Sequence, residues 1–116
     1  AEFRAWGGEL TLSREWCAAV LHGRSVVVFG GRAVNAPLNT TEVLDLDGDG
    51  TTEAITAGPT MATSRYGCAA VRLDARRVLV AGGSDSAFVA GCLDTTEILD
   101  LETMRFSAGP TMLSKR

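Results

Sequence analysis

Thr40-Thr41-Glu42-Val43-Leu44-Asp45-Leu46 is answered later in the chain by Thr95-Thr96-Glu97-Ile98-Leu99-Asp100-Leu101, and the blocks around both segments are duplicated as well. Cys17-Ala18-Ala19-Val20 returns as Cys68-Ala69-Ala70-Val71, Phe29-Gly30-Gly31 as Ala81-Gly82-Gly83, and Ala57-Gly58-Pro59-Thr60-Met61 as Ala108-Gly109-Pro110-Thr111-Met112. The copies are 51 residues apart at the cysteines and prolines, 52 at the double glycines and 55 at Thr-Thr-Glu, so changes of length cancel within each unit. Length varies only between the matching blocks, where loops belong. A period near fifty residues points to an array of small supersecondary units.

Within each unit the pattern reads as strand. Val26, Val27, Val28 and Phe29 are consecutive, apolar and mostly β-branched, which suits a short strand covered on both faces. Gly30-Gly31 follows, where the backbone must take positive φ or approach another segment closely. Strands are expected at about 16–21, 25–29, 40–46 and 54–56, and again at about 67–72, 78–81, 95–101 and 105–108. The turn Asp47-Gly48-Asp49-Gly50 suits a tight hairpin. No stretch sustains a helical period, so no helix is expected.

Arg, two apolar strands ending in Gly-Gly, a variable loop, Thr-Glu-x-x-Asp and a last strand leading to Pro-x-Met together resemble the kelch repeat. The resemblance covers nearly the whole chain, although Leu44 and Leu99 stand where kelch repeats usually have Tyr, and the last strands lack Trp. It implies an all-β fold: two four-stranded antiparallel kelch blades of a β-propeller, over residues 13–63 and 64–112. Residues 1–12 would supply the last strand of a preceding blade, or be in part a leftover of expression, and residues 113–116 would lead into a further blade. A propeller typically needs roughly 4 to 8 blades. Two blades therefore imply further blades of the same propeller, or several copies completing a ring as a homo-oligomer.

The chain has 116 residues, 46% of them hydrophobic, a formal charge of −3 and a pI near 5.0. Such a balance offers no attraction to phosphate backbones, so nucleic acid is not an expected partner. No apolar run approaches the roughly 20 residues that span a bilayer, and no signal-peptide pattern opens the chain. A cytoplasmic protein without membrane insertion is expected. Cys17 and Cys68 hold equivalent places and read as small buried hydrophobes; Cys92 has no counterpart.

Candidate chemistry is sparse. Asp45, Asp47, Asp49 and Gly50 resemble the first half of a calcium loop, but the twelfth position is Thr56 where that loop needs Glu, so an acidic turn is the expected reading. His22 is the only histidine and lacks an orienting partner. No cofactor, no metal site and no catalytic set is expected. Arg14, Arg65 and Arg116 recur once per unit. In propellers of the kelch kind this position shares a face with the loops after the double glycines, which gathers Arg14, Arg32, Asn35, Arg65, Ser84, Asp85 and Ser86 as candidate binding residues. Two readings of the repeated arginines stay open: a fork that grips carboxylates of a protein partner, or a tie between neighbouring sheets through backbone carbonyls. The resemblance favours a scaffold that binds a protein partner through its loop face, with an acidic segment as the candidate partner; the alternatives are part of a propeller enzyme and a structural subunit of a larger assembly.

Overall fold

The computed structural model describes residues 14–34, 36–46, 52–86 and 92–116. These residues form ten strands: β1 (Ala18–His22), β2 (Ser25–Phe29), β3 (Arg32–Ala33), β4 (Ala36–Pro37), β5 (Thr41–Leu46), β6 (Thr52–Ala57), β7 (Ala69–Arg72), β8 (Arg77–Ala81), β9 (Thr96–Asp100) and β10 (Arg105–Ala108). They assemble into two four-stranded antiparallel sheets, ordered β1-β2-β5-β6 and β7-β8-β9-β10, with β3 and β4 as a small separate hairpin. The described residues contain no helix. The all-β class and the pair of four-stranded antiparallel sheets thus agree with expectation. Among the described residues the two sheets do not close into a ring. The expected strand over residues 1–12, and the turn holding Asp47 and Asp49, lie outside the described residues.

Register explains which side chains meet. Val27 lies between Val20 of β1 and Val43 of β5, and in the second sheet Val78 lies beside Leu99 while Val80 lies beside Ala70. Alternation along each strand sends one set of these residues to each face. Val27 and Phe29 from the first sheet meet Val78, Val80 and Leu99 from the second, with Met61 and Leu101 completing a buried core. Phe29 and Phe106 close it edge to face, centroids 6.2 Å apart at 75°. At about 25 cal/mol per Å² of apolar surface, this shared boundary is the main apolar stabilisation available to either sheet. Inner strands β1 and β7 run side by side at one end of it.

The offset between copies reappears as equivalent hydrogen bonds. Thr41 Oγ1 donates to the carbonyl of Pro59 and Thr96 Oγ1 to that of Pro110, each at 2.6 Å. Gly30 and Gly31 have φ of +59° and +89°, and Gly82 and Gly83 have +64° and +86°. Space decides as much as torsion here: a Cβ on Gly30 would press into the carbonyl oxygen of Arg65, and one on Gly82 into that of Arg116. The double glycines are therefore places where the next segment of backbone lies against the sheet.

Gly23 makes the comparison that isolates this effect, since its φ is +61° and nothing stands within 4 Å of its missing Cβ. Gly23→Ala should cost about 1 kcal/mol, from torsion alone. Gly30→Ala should cost about 3 kcal/mol, because torsion and collision add. Urea midpoints at unchanged slope measure both, and equal losses would remove close approach as the reason for the double glycine.

Candidate functional site

Two buried arginines are seated at the sheet ends, and one of them, Arg65, joins the two sheets. Arg65 is fully buried, and its guanidinium is enclosed by β8 and β9: Nε donates to Glu97 Oε2 at 3.0 Å, Nη1 to the carbonyls of Gly82 and Thr95 at 3.0 and 2.9 Å, and Nη2 to Thr95 Oγ1 at 3.0 Å. Glu97 also receives the backbone N–H of Ala62 at 2.7 Å, so its carboxylate fixes the approach to the arginine as well. The main chain of Arg65 belongs to the other sheet, donating to the carbonyl of Leu38 and accepting from Gly31 N–H at 2.7 Å. A single residue thereby joins the two.

The first unit builds the same cradle. Arg14 Nη1 donates to the carbonyls of Gly30 and Thr40 at 2.8 and 3.1 Å, and Nη2 to Glu42 Oε2 at 2.7 Å, with both charged side chains almost wholly buried. Arg14 Nε is buried without a hydrogen-bond partner among the described residues. Arg14 and Arg65 therefore act as ties between segments, one of the two readings left open by their repetition. Neither guanidinium has surface to offer a partner, which corrects their inclusion as binding residues.

The exposed part of the candidate face is a different cluster. The Arg32 guanidinium carbon lies 4.5 Å from the Trp16 ring centroid and 5.4 Å from that of Tyr66, and the two rings are 5.6 Å apart. Arg32 Nε donates to Glu15 Oε1 at 2.7 Å. Tyr66 Oη donates to the carbonyl of Ser86 at 2.7 Å, and Ser84 Oγ donates to the same carbonyl at 3.0 Å. Arg32, Ser84 and Ser86 are thus brought into one neighbourhood by Tyr66, whereas Asp85 is exposed beside them. Asn35 lies outside the described residues. Arg32 also borders an open cleft of about 350 Å³ with Arg14, Glu15, Ala33 and Val34.

Trp16 and Tyr66 were not among the residues singled out from sequence, although a signal was present. Trp16 occupies the position of Gly67 in the second copy, Glu15 that of Tyr66 and Arg32 that of Ser84. The copies differ most where the cluster sits. The bridge Glu15–Arg32 and the bridge Tyr66–Ser84 occupy the same place in the two units, so the frame is common and only the side chains have changed.

Cys17 is exposed rather than buried, whereas Cys68, at the same place in the second unit, is partly buried and burial pushes its thiol up, against the pull of Arg65. Asp45 accepts from Ser25 Oγ at 2.6 Å. Among the described residues no group of three His, Cys, Asp or Glu side chains is placed to hold a metal ion, and no helix is long and apolar enough to cross a membrane.

Comparison with known proteins redirects the functional reading. The chain is 38% identical over 101 residues to acyl-CoA-binding domain-containing protein 5 of Arabidopsis thaliana, and 32% identical over 101 residues to acyl-CoA-binding domain-containing protein 4 of the same plant. Each match takes in 86% of this chain, and the chain spans about 15% of the length of these relatives. No family model matches. The kelch assignment is corrected by these relatives, which are described by acyl-CoA binding, and with it falls the partner-binding propeller module built on that assignment. The physical reason lies in the motifs themselves: the double glycines, Thr-Thr-Glu and repeated Arg are accounted for by one local device, a buried arginine seated in a sheet, and so do not by themselves name a family.

Two outcomes test the electrostatics. Arg65→Ala strands the buried Glu97 carboxylate and should cost about 3–5 kcal/mol in equilibrium unfolding; a loss below that of an ordinary surface change would show the cradle to be dispensable. At the surface, Arg76 bonds the carboxyl of Asp100 and, with the N–H groups of Thr103 and Glu102, holds it down at about 2. A depressed folded value stabilises the chain above the unfolded carboxyl range and loses that contribution as pH falls toward 2. Arg76→Ala should return the Asp100 titration, followed by NMR, toward 3.8.

Proposed function

We propose that this chain works as one non-enzymatic part of a protein that binds acyl-CoA, contributing a rigid two-sheet frame that carries an aromatic and arginine surface. The observation that carries the proposal is the relationship at 38% and 32% identity to two proteins described by acyl-CoA binding. The commitment of its charged groups supports a frame rather than a complete acyl-CoA pocket. Arg14 and Arg65 are sealed in their cradles, while Arg76 and Arg77 are engaged by Asp100, Glu102 and Asp74. The guanidiniums of a binding surface must instead be open to the ligand, and Arg32, part-exposed beside the Trp16 ring, is bonded to Glu15. A reducing, cytoplasmic setting goes with the three free cysteines.

Isothermal titration of the intact protein with palmitoyl-CoA should show saturable binding, and incubation with a thiol reagent should show no release of free CoA. Failure to bind, or steady hydrolysis of the thioester, would sink the proposal.

A further inference from the structure

A cleft of about 490 Å³ opens between the two sheets beside the start of β2. Its apolar wall is shared, with Val27 and Val43 from the first sheet and Leu101 and Met104 from the second, while His22 and Ser25 supply polar groups. A space of this size holds a small molecule, and an apolar lining with a few polar groups is the make-up of a ligand site. Met104 adds strain to it. Its φ is +55°, a conformation that favours glycine, and such strain gathers where a side chain is needed for something besides folding.

Register sets a polar row along the cleft. His22 lies opposite Ser25 and Ser25 opposite Asp45, so three adjacent strands carry these side chains on one face, the face that also holds Val27 and Val43. Ser25 Oγ donates to Asp45 Oδ1 at 2.6 Å, which commits the hydroxyl proton and leaves the oxygen to accept. Among the described residues Asp45 has no ion pair and the His22 imidazole no hydrogen-bond partner. The second unit closes the same place from within. Leu73 stands where the first unit has His22, Arg77 lies opposite Asp100, and Arg76 neutralises the Asp100 carboxylate. Arg24 holds the position of Arg76 in the first unit but forms no ion pair with Asp45. One unit thus satisfies its carboxylate internally, and the other leaves it able to answer a cation.

We propose that this cleft binds a small amine with an apolar body, the ammonium donating to Ser25 Oγ and the His22 imidazole and the body lying among Val27, Val43, Leu101 and Met104. Asp45 selects the charge: its carboxylate draws the Ser25 proton away from the cleft, favours a cation and repels a carboxylate. Half-burial strengthens that selection, because charges beside an apolar wall are less screened than charges in water. Met104 suits a ligand wall, since its thioether chain adjusts to the shape of what it covers. Nothing in this site depends on the acyl-CoA reading.

Four probes separate charge from body without altering the protein. The 116-residue chain is titrated with tryptamine, its neutral counterpart tryptophol, the anionic indole-3-propionate, and ethylamine, which has the charge without the ring, while methyl resonances are followed by NMR. Tryptamine should saturate with a dissociation constant of about 1 mM or tighter, the other three binding at least about 10-fold more weakly, and the methyl signals of Val27, Val43 and Met104 should move. Asp45→Asn keeps the shape and an acceptor for Ser25 and should weaken tryptamine at least about 10-fold; His22→Leu, which installs the residue of the second unit, should weaken it about 3-fold or more. Unfolding midpoints verify that both variants fold; if Asp45→Asn does not, the four probes on the unaltered chain decide. No saturation by about 10 mM tryptamine, equal binding of tryptophol, indole-3-propionate or ethylamine, shifts confined to other methyl groups, or unchanged affinity in folded Asp45→Asn would each overturn the site.

Discussion

A guanidinium sealed inside a β-sheet protein is expensive, and the geometry around Arg65 is organised by that expense. Removing an ion from water costs several kcal/mol even after relaxation, and the cost is offset only when every donor finds a partner and an opposite charge stands close. Nε, Nη1 and Nη2 of Arg65 all donate within the cradle, and Glu97 provides the charge at 3.0 Å. The double glycine, the Thr-Thr pair and the glutamate are then parts of one solution: a carbonyl at the sheet end, a carbonyl and hydroxyl at the start of β9, and a carboxylate two residues on. Substituting any one strands the others.

This solution has a direction. The side chain of Arg65 belongs to the sheet that follows it in sequence, while its main chain pairs with the sheet that precedes it. Arg116 repeats the main-chain half, accepting from Gly83 N–H at 2.5 Å and donating to the carbonyl of Leu93 at 2.9 Å. The apolar boundary has the same polarity, because Val27 of one sheet meets residues of opposite strand parity, Val78 and Val80, on the other. Side-chain alternation gives each sheet two unlike faces, and only unlike faces meet. Rigidity follows from coupling the two devices, since the sheets cannot slide along their apolar boundary without breaking the polar joint.

How much of this the sequence disclosed depended on whether a feature was local. Strand positions in β2, β5, β8 and β9 were readable because the apolar and β-branched runs are short and bounded by turn residues. The role of Gly30 was readable only as a requirement for special backbone, since the obstacle is the carbonyl of Arg65, 35 positions away. Arg14 and Arg65 left two readings open because repetition says that a residue is needed in each unit, without saying whether its charge faces in or out. Burial settled that, and burial is a property of the assembled sheets. Cys17 was misjudged for the related reason that its equivalence with Cys68 suggested equal burial, while the two units have unequal surroundings. The family assignment failed at a further remove: a motif that solves a packing problem reports the problem, and different proteins can share it.

Departure from the repeat carries the opposite kind of information. Where both copies agree, as at Thr41 and Thr96 or Gly30 and Gly82, the residue answers to the frame, and its replacement is charged to stability. Where they disagree while the backbone stays the same, the frame has no preference, and the residue must be explained by something outside it. Trp16 and Gly67 share a left-handed backbone, at +57° and +68°, and only glycine occupies it without strain. Contact with Tyr66 and Arg32 returns part of the cost, but a residue chosen for folding alone would not leave its ring 59% exposed. A duplicated chain thus contains its own reference state, and the strained residue in one copy, set against the relaxed residue in the other, locates the surface on which function can differ from structure.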